Sequence, residues 1–188
     1  MTFSSIRRGF TTAAVILAAL GVSFGSIAAQ EKPIQLSVFP PIQITGEDQS
    51  VSAVRLSLLF GRNANVTGLD WSFIANHTTG DQLGVQFGLG ALVEGDFTGW
   101  QANAVNLTRG EMYGLQSGLV NIAGTGRGVQ LGSVNYAKQN YRGLQLSFVN
   151  YAQSINGVQV GLINIIKEGG MFPIFPFVNW SKSDGQDD

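Results

Sequence analysis

The chain has 188 residues, room for one domain, with 25 glycines, 12 phenylalanines, 12% charged residues and no cysteine. So little charge beside so many aromatics excludes a disordered chain, and a net charge of -1 offers no basic field for a nucleic-acid backbone. Without cysteine there is no disulfide, thiolate metal site, thiol nucleophile or acylated cysteine.

Residues 1–29 read as a signal peptide. Arg7 and Arg8 supply a positive start, residues 11–24 (TTAAVILAALGVSF) an apolar run, and residues 26–29 (SIAA) a small-residue cleavage site. The run is shorter than the about 20 apolar residues of a spanning helix. The mature chain is expected to begin near Ala29 or Gln30 and to be exported to the cell surface, outer membrane or periplasm. Arg7-Arg8-Gly9-Phe10 also resembles a twin-arginine signal, but Ile6 stands where that motif usually has Ser or Thr, so general secretion is the expected route.

Residues 30–52 are expected to form N-terminal strands and a cap. Ile34, Leu36 and Val38 alternate with polar residues until Pro40-Pro41 breaks the pattern, which predicts two short strands around a kink. A repeat domain is then expected over 53–170. Read from glycine to asparagine it gives GWQANAVN, GLQSGLVN, GVQLGSVN, GLQLSFVN and GVQVGLIN between Gly99 and Asn164. An earlier copy starts at Gly84, an imperfect one runs from Gly68 to Asn76, and PFVN at 176–179 reads as a last one. Residues 53–60 read as a degenerate opening copy. The asparagine slot holds Asn76, Ala91, Asn106, Asn121, Asn135, Asn150, Asn164 and Asn179, a step of 14 or 15 residues each time. Such self-similarity decides the fold before any local propensity does.

Within one copy the apolar pattern changes parity. After Gly128, Val129 and Leu131 alternate with Gln130, but the next firmly apolar slot, Val134, is one residue out of phase. A bend at the small residue Gly132 restores the phase, so each copy is expected to be two short strands around a corner. No window shows a helical period, and no helix is expected in the mature chain.

Two all-β architectures fit. In a short parallel β-solenoid or β-roll of 14–15-residue coils, like stacks on like at about 4.8 Å. Asn106, Asn121, Asn135, Asn150 and Asn164 then form one structural ladder, and Gln86, Gln101, Gln116, Gln130, Gln145 and Gln159 another. In an antiparallel meander or β-barrel nothing requires asparagine at one index. The index after Gly132 varies widely across copies while glutamine and asparagine hold, which favours coils, about seven or eight of them and roughly 35 Å in all. Segment 171–180, with Pro173 and Pro176, is expected to be a C-terminal cap, and 181–188 a disordered acidic tail.

On these repeats the chain resembles the bacterial surface-repeat proteins of the leptospiral type, built from tandem G-[VL]-Q-x-G-[LI]-[VI]-N units. It is more loosely similar to the head repeats of trimeric adhesins. The resemblance implies an exported surface protein and supplies no catalytic residue.

Candidate chemistry is sparse. His77 follows Asn76 in an expected turn, and no zinc triad or Ser-His-Asp set can be built around it. Asp70, Asp81, Glu94, Asp96 and Glu111 are expected mostly in connectors; a calcium site or carboxylate couple at Glu94 and Asp96 is weighed against solvated turns, which are favoured. Residues 124–128 (GTGRG) have no helix behind them to bind phosphate and are expected to be a turn. Phe73, Leu89, Leu119, Phe148, Leu162 and Phe177 share one index, which either points outward as an apolar contact stripe or inward as core. The expectation is a non-enzymatic repeat protein with a structural or binding (adhesin-like) role and no cofactor or metal. Its expected partner is a protein or envelope component and not nucleic acid, with outer-membrane association and homo-oligomerisation both open. An integral outer-membrane β-barrel is the alternative.

Overall fold

The computed structural model describes residues 31–181; the expected signal peptide and residues 182–188 of the acidic tail lie outside them. The chain forms strands β1 (Glu31–Phe39), β2 (Ile42–Gln43), β3 (Ser50–Ser57), β4 (Phe60–Asn63), β5 (Val66–Ser72), β6 (Ala75–Thr78), β7 (Gln82–Val93), β8 (Phe97–Ser117), β9 (Val120–Leu131), β10 (Val134–Leu146), β11 (Val149–Glu168) and β12 (Ile174–Trp180). No helix occurs among the described residues.

From β7 to β11, strands adjacent in sequence lie beside one another and run parallel. Between β10 and β11, Asn135 faces Asn150, Gly143 faces Gly157 and Gln145 faces Gln159. The same match holds from β9 to β10 and from β8 to β9, and from β7 to β8 for glycine and glutamine. A parallel neighbour without a crossover helix requires that the chain wind around to its own start, so each repeat is a coil. The protein is a β-solenoid of about nine turns. This register overturns the meander and barrel alternatives.

The coil number exceeds the seven or eight expected because the winding continues where the motif has decayed. Gln35 pairs with Arg55, and Arg55 with Asp70, in the same parallel sense. After β1, the chain turns at Pro40-Pro41 and β2 folds back antiparallel on it.

Two kinds of corner close each coil. The tight one falls at the phase change, with bends at Gly118-Leu119, Gly132-Ser133 and Ser147-Phe148. Its amides are bonded along the axis: Leu119 N–H donates to Ala104 O at 2.9 Å, Val149 N–H to Ser133 O at 3.1 Å and Ile163 N–H to Phe148 O at 3.0 Å. The wide corner carries the charged connectors.

PFVN is not a last parallel copy. The chain reverses after β11, and β12 returns antiparallel along it, so Asn179 lies opposite Gln159 rather than over Asn164. Edge position is what permits Pro176 inside a strand, because its missing N–H falls where no further strand needs a donor. GTGRG is likewise not a turn but extended backbone within β9, and His77 lies on β6.

The apolar core is small. Val93, Phe97, Met112, Ala123, Ala137, Tyr141, Ala152, Ile155 and Ile166 pack as one cluster towards the wide corner. Towards the tight corner, amide side chains fill the interior instead.

Candidate functional site

Gln86, Gln101, Gln116, Gln130, Gln145 and Gln159 are fully buried and bonded in a single column. Gln101 Nε2 donates to Gln86 Oε1 at 2.9 Å, Gln116 to Gln101 at 2.7 Å, Gln130 to Gln116 at 2.7 Å, Gln145 to Gln130 at 2.7 Å and Gln159 to Gln145 at 2.8 Å. Every donor points towards the N-terminal end. Asp70 fixes that direction: it occupies the glutamine slot of its coil and faces Gln86, so it is not a connector residue as expected. A carboxylate only accepts, so Gln86 must turn its Nε2 to it, at 2.8 Å, and each later amide follows suit. Gln159 Oε1, at the far end, is buried without a donor, because no further glutamine follows it.

Asp70 also binds Arg55, with Nε to Oδ1 at 2.8 Å and Nη2 to Oδ2 at 2.7 Å, both side chains wholly buried. Asn76 and Gln82 donate to the same carboxylate. The remaining Arg55 donors reach His77 O and Thr78 Oγ1. Each charge is thus bonded on several sides, as burial demands.

The asparagine column runs the other way. Asn106 Nδ2 donates to Asn121 Oδ1 at 2.8 Å, Asn121 to Asn135 at 2.9 Å, Asn135 to Asn150 at 3.0 Å and Asn150 to Asn164 at 2.8 Å. Asn164 ends the column on the carbonyl of Phe175 in β12. Ala91 interrupts the slot, so Asn76 stands apart and turns to Asp70 instead. With Asn76, Asn106 and Asn179 sealed inside, their N-x-[ST] sequences are explained by packing rather than by modification.

At the wide corner, the connector acids serve the backbone. Asp81 Oδ1 accepts from Asp96 N–H at 2.8 Å, and Asp96 Oδ1 from Glu111 N–H at 2.7 Å. Glu94 meets His77 Nε2 at 2.7 Å and Arg109 Nη1 at 3.4 Å. The hydrogen bond from His77, aided by Arg109, holds its carboxyl below the ordinary 4.5. No group of three or more metal-ligating side chains exists among the described residues.

The exterior carries large apolar side chains that are exposed. Glutamine and asparagine point in, so the alternating positions point out, and these are apolar. The shared index of Phe73, Leu89, Leu119, Phe148 and Leu162 faces outward, with Leu119 and Phe148 62% exposed, and Phe177, which lies opposite Gly161 on β12 rather than at that index, is 69% exposed. On one flank stand Leu69, Trp71, Trp100, Leu146 and Val158; on the other, Val105, Val134, Tyr136 and Ile163, all exposed. A groove of about 580 Å³ runs beside the stripe, walled by Leu131, Leu146, Val160, Phe148, Leu162 and Phe177 over a floor containing Gly132, Ser147 and Gly161. A second, of about 600 Å³, lies at the N-terminal end between Leu36, Val38, Leu56 and Trp71.

Charge is kept away from this surface and divided along the axis. Between residues 70 and 111 it comprises Asp70, Asp81, Glu94, Asp96 and Glu111 against Arg109, whereas between 112 and 167 it is Arg127, Lys138, Arg142 and Lys167 alone. Sequence reading missed Arg55 and Asp70 because their places in the glutamine column appear only once the coils are in register.

No family model, curated protein or solved structure matches the chain.

Proposed function

We propose that the protein is an exported, non-enzymatic repeat scaffold with a structural or binding (adhesin-like) role at the cell envelope, and that its contact surface is the apolar outside of the solenoid. The observation that carries this reading is the inversion of side chains: amides are inside, bonded to one another, while Leu119, Phe148, Leu162 and Phe177 face out in a row. Monomeric soluble proteins seldom expose contiguous apolar patches beyond a few hundred Å² without a contact to make.

The two fully buried charged side chains among the described residues, Arg55 and Asp70, support the same reading. They are committed to each other and to the amide column rather than presented in a cleft. The reading of residues 1–29 as an export signal supplies the compartment. Expression of the tagged chain in a Gram-negative host, followed by separation of cytosol, envelope and medium, tests it. Shortening near Ala29 and recovery with the envelope are the expected results. Full-length chain recovered in the cytosol would sink the proposal.

A further inference from the structure

Around one coil, the outward side chains are sorted by polarity. At the tight corner the row is Leu119, Ser133, Phe148 and Leu162, with no ionisable group, and Phe177 of β12 extends it. Further back come side chains that are apolar with a polar tip: Trp100 towards one flank, Tyr136 and Tyr151 on the other, the last two stacked at 4.6 Å. At the wide corner stand the charges, among them Lys138 and Arg142. Aliphatic tip, Trp and Tyr shoulders, and charge behind is the order in which side chains distribute across a membrane–water boundary.

The backbone meets the other demand of lipid. In a solenoid the strand N–H and C=O groups point along the axis to the next coil rather than out of the lateral surface. This holds at the tip itself, where Gly132 N–H donates to Leu146 O at 3.0 Å and Ser147 N–H to Val160 O at 3.1 Å. The groove beside the tip, walled by Leu and Phe over small residues, offers apolar depth without a polar anchor.

We propose that the tight-corner stripe of the C-terminal half, from Leu119 to Phe177, inserts into the acyl region of an anionic lipid monolayer, the solenoid axis lying along its surface. Charge selects the anionic lipid. Among the described residues, the half of the chain with the most continuous stripe and the groove carries Arg127, Lys138, Arg142 and Lys167 against one acid, Glu168. The inference deepens the envelope reading, on which it rests for the place where lipid is met.

The test is flotation of the full chain with vesicles of phosphatidylethanolamine and phosphatidylglycerol, compared with phosphatidylcholine alone. The parent chain floats with the anionic vesicles. A Leu119→Ser, Phe148→Ser, Leu162→Ser variant lowers the bound fraction by about tenfold or more. Ser133 already occupies this row, so the variant keeps its β-sheet circular dichroism. Residues 1–30 are common to both chains, so the difference belongs to the stripe.

A second measurement uses Phe148→Trp, which preserves the apolar row. Its added fluorescence is quenched by phospholipid brominated in the acyl chains. Unchanged flotation of the triple variant, equal binding to both lipid compositions, or absence of added quenching each overturns the proposal. So does a parent chain that ignores vesicles and sediments as a dimer that the triple variant dissociates, which would make a second copy the occupant. Recovery with the envelope in cells alongside any of these outcomes leaves the scaffold reading standing and removes only the lipid.

Discussion

An amide side chain buried in a column has a neighbour above and one below, and it can serve both only if it donates to one and accepts from the other. The glutamine column takes its sense from Asp70, which cannot donate, and the asparagine column takes the opposite sense from the Phe175 carbonyl at its end. Two columns of opposed polarity therefore share one interior. Asp70→Asn leaves the Arg55 guanidinium buried without its counter-charge, and the expected loss is about 3–5 kcal/mol in chemical denaturation. Replacing both residues with leucine should cost less than that single change, because no stranded charge remains. Asn135 accepts from Asn121 and donates to Asn150 and to Gln130 O. Asn135→Ala should therefore destabilise by more than about 1 kcal/mol, and an unchanged melting midpoint would contradict the buried column.

The coil is the element, and its geometry depends on the glycine that opens it. Gly128 has φ +136, and a β-carbon there would lie 2.0 Å from Gly114 O of the coil below. Gly114 stands in the same relation to Gly99, so the chain approaches itself at this point in successive turns. Gly128→Ala is expected to lower stability by at least about 2 kcal/mol in urea titration. Gly132→Ser, at the tight corner, should cost less: a β-carbon there would lie 2.6 Å from Gly118 O, but the backbone is not in the positive-φ region and Ser147 fills the corresponding place one coil on. Equal losses for the two would show that the opening glycine is conserved in the repeats for a reason other than close approach.

The whole molecule is a short stack with two ends to protect. At a rise of about 4.8 Å, nine turns make a body roughly 40 Å long, and an uncovered terminal coil would offer a full row of backbone donors and acceptors. β12 covers one end by running antiparallel over both halves of the last coil, from Val158 to Ile165. A chain ending after Glu168 loses that cover, lays Gln159 open and takes the Phe175 carbonyl from Asn164. It is expected to associate end to end, seen as high-mass species in size-exclusion chromatography and as filaments in negative stain. A chain that stays monomeric would show that β12 does not guard the edge.

The repeat determined the coil, its length and the identity of the interior columns, because identical side chains at a fixed step can all be satisfied only when they stack. It also made the tight corner legible, through the change of parity at Gly132. The direction of each column was not readable, since it depends on Asp70 and Phe175, groups that reach their columns only through register. Gln35 and the earliest turn were hidden for the same cause, and Arg55, inside the degenerate copy read at 53–60, could not be placed in the column, their residues having drifted from the motif while their backbone kept its pairing. The reversal of β12 was unreadable because PFVN obeys the motif locally, and only pairing with β11 decides its direction. Which way the apolar index faces was also left to the tertiary structure: a two-residue alternation fixes that neighbours oppose each other, but closure of the coil around its amides decides which set is inside.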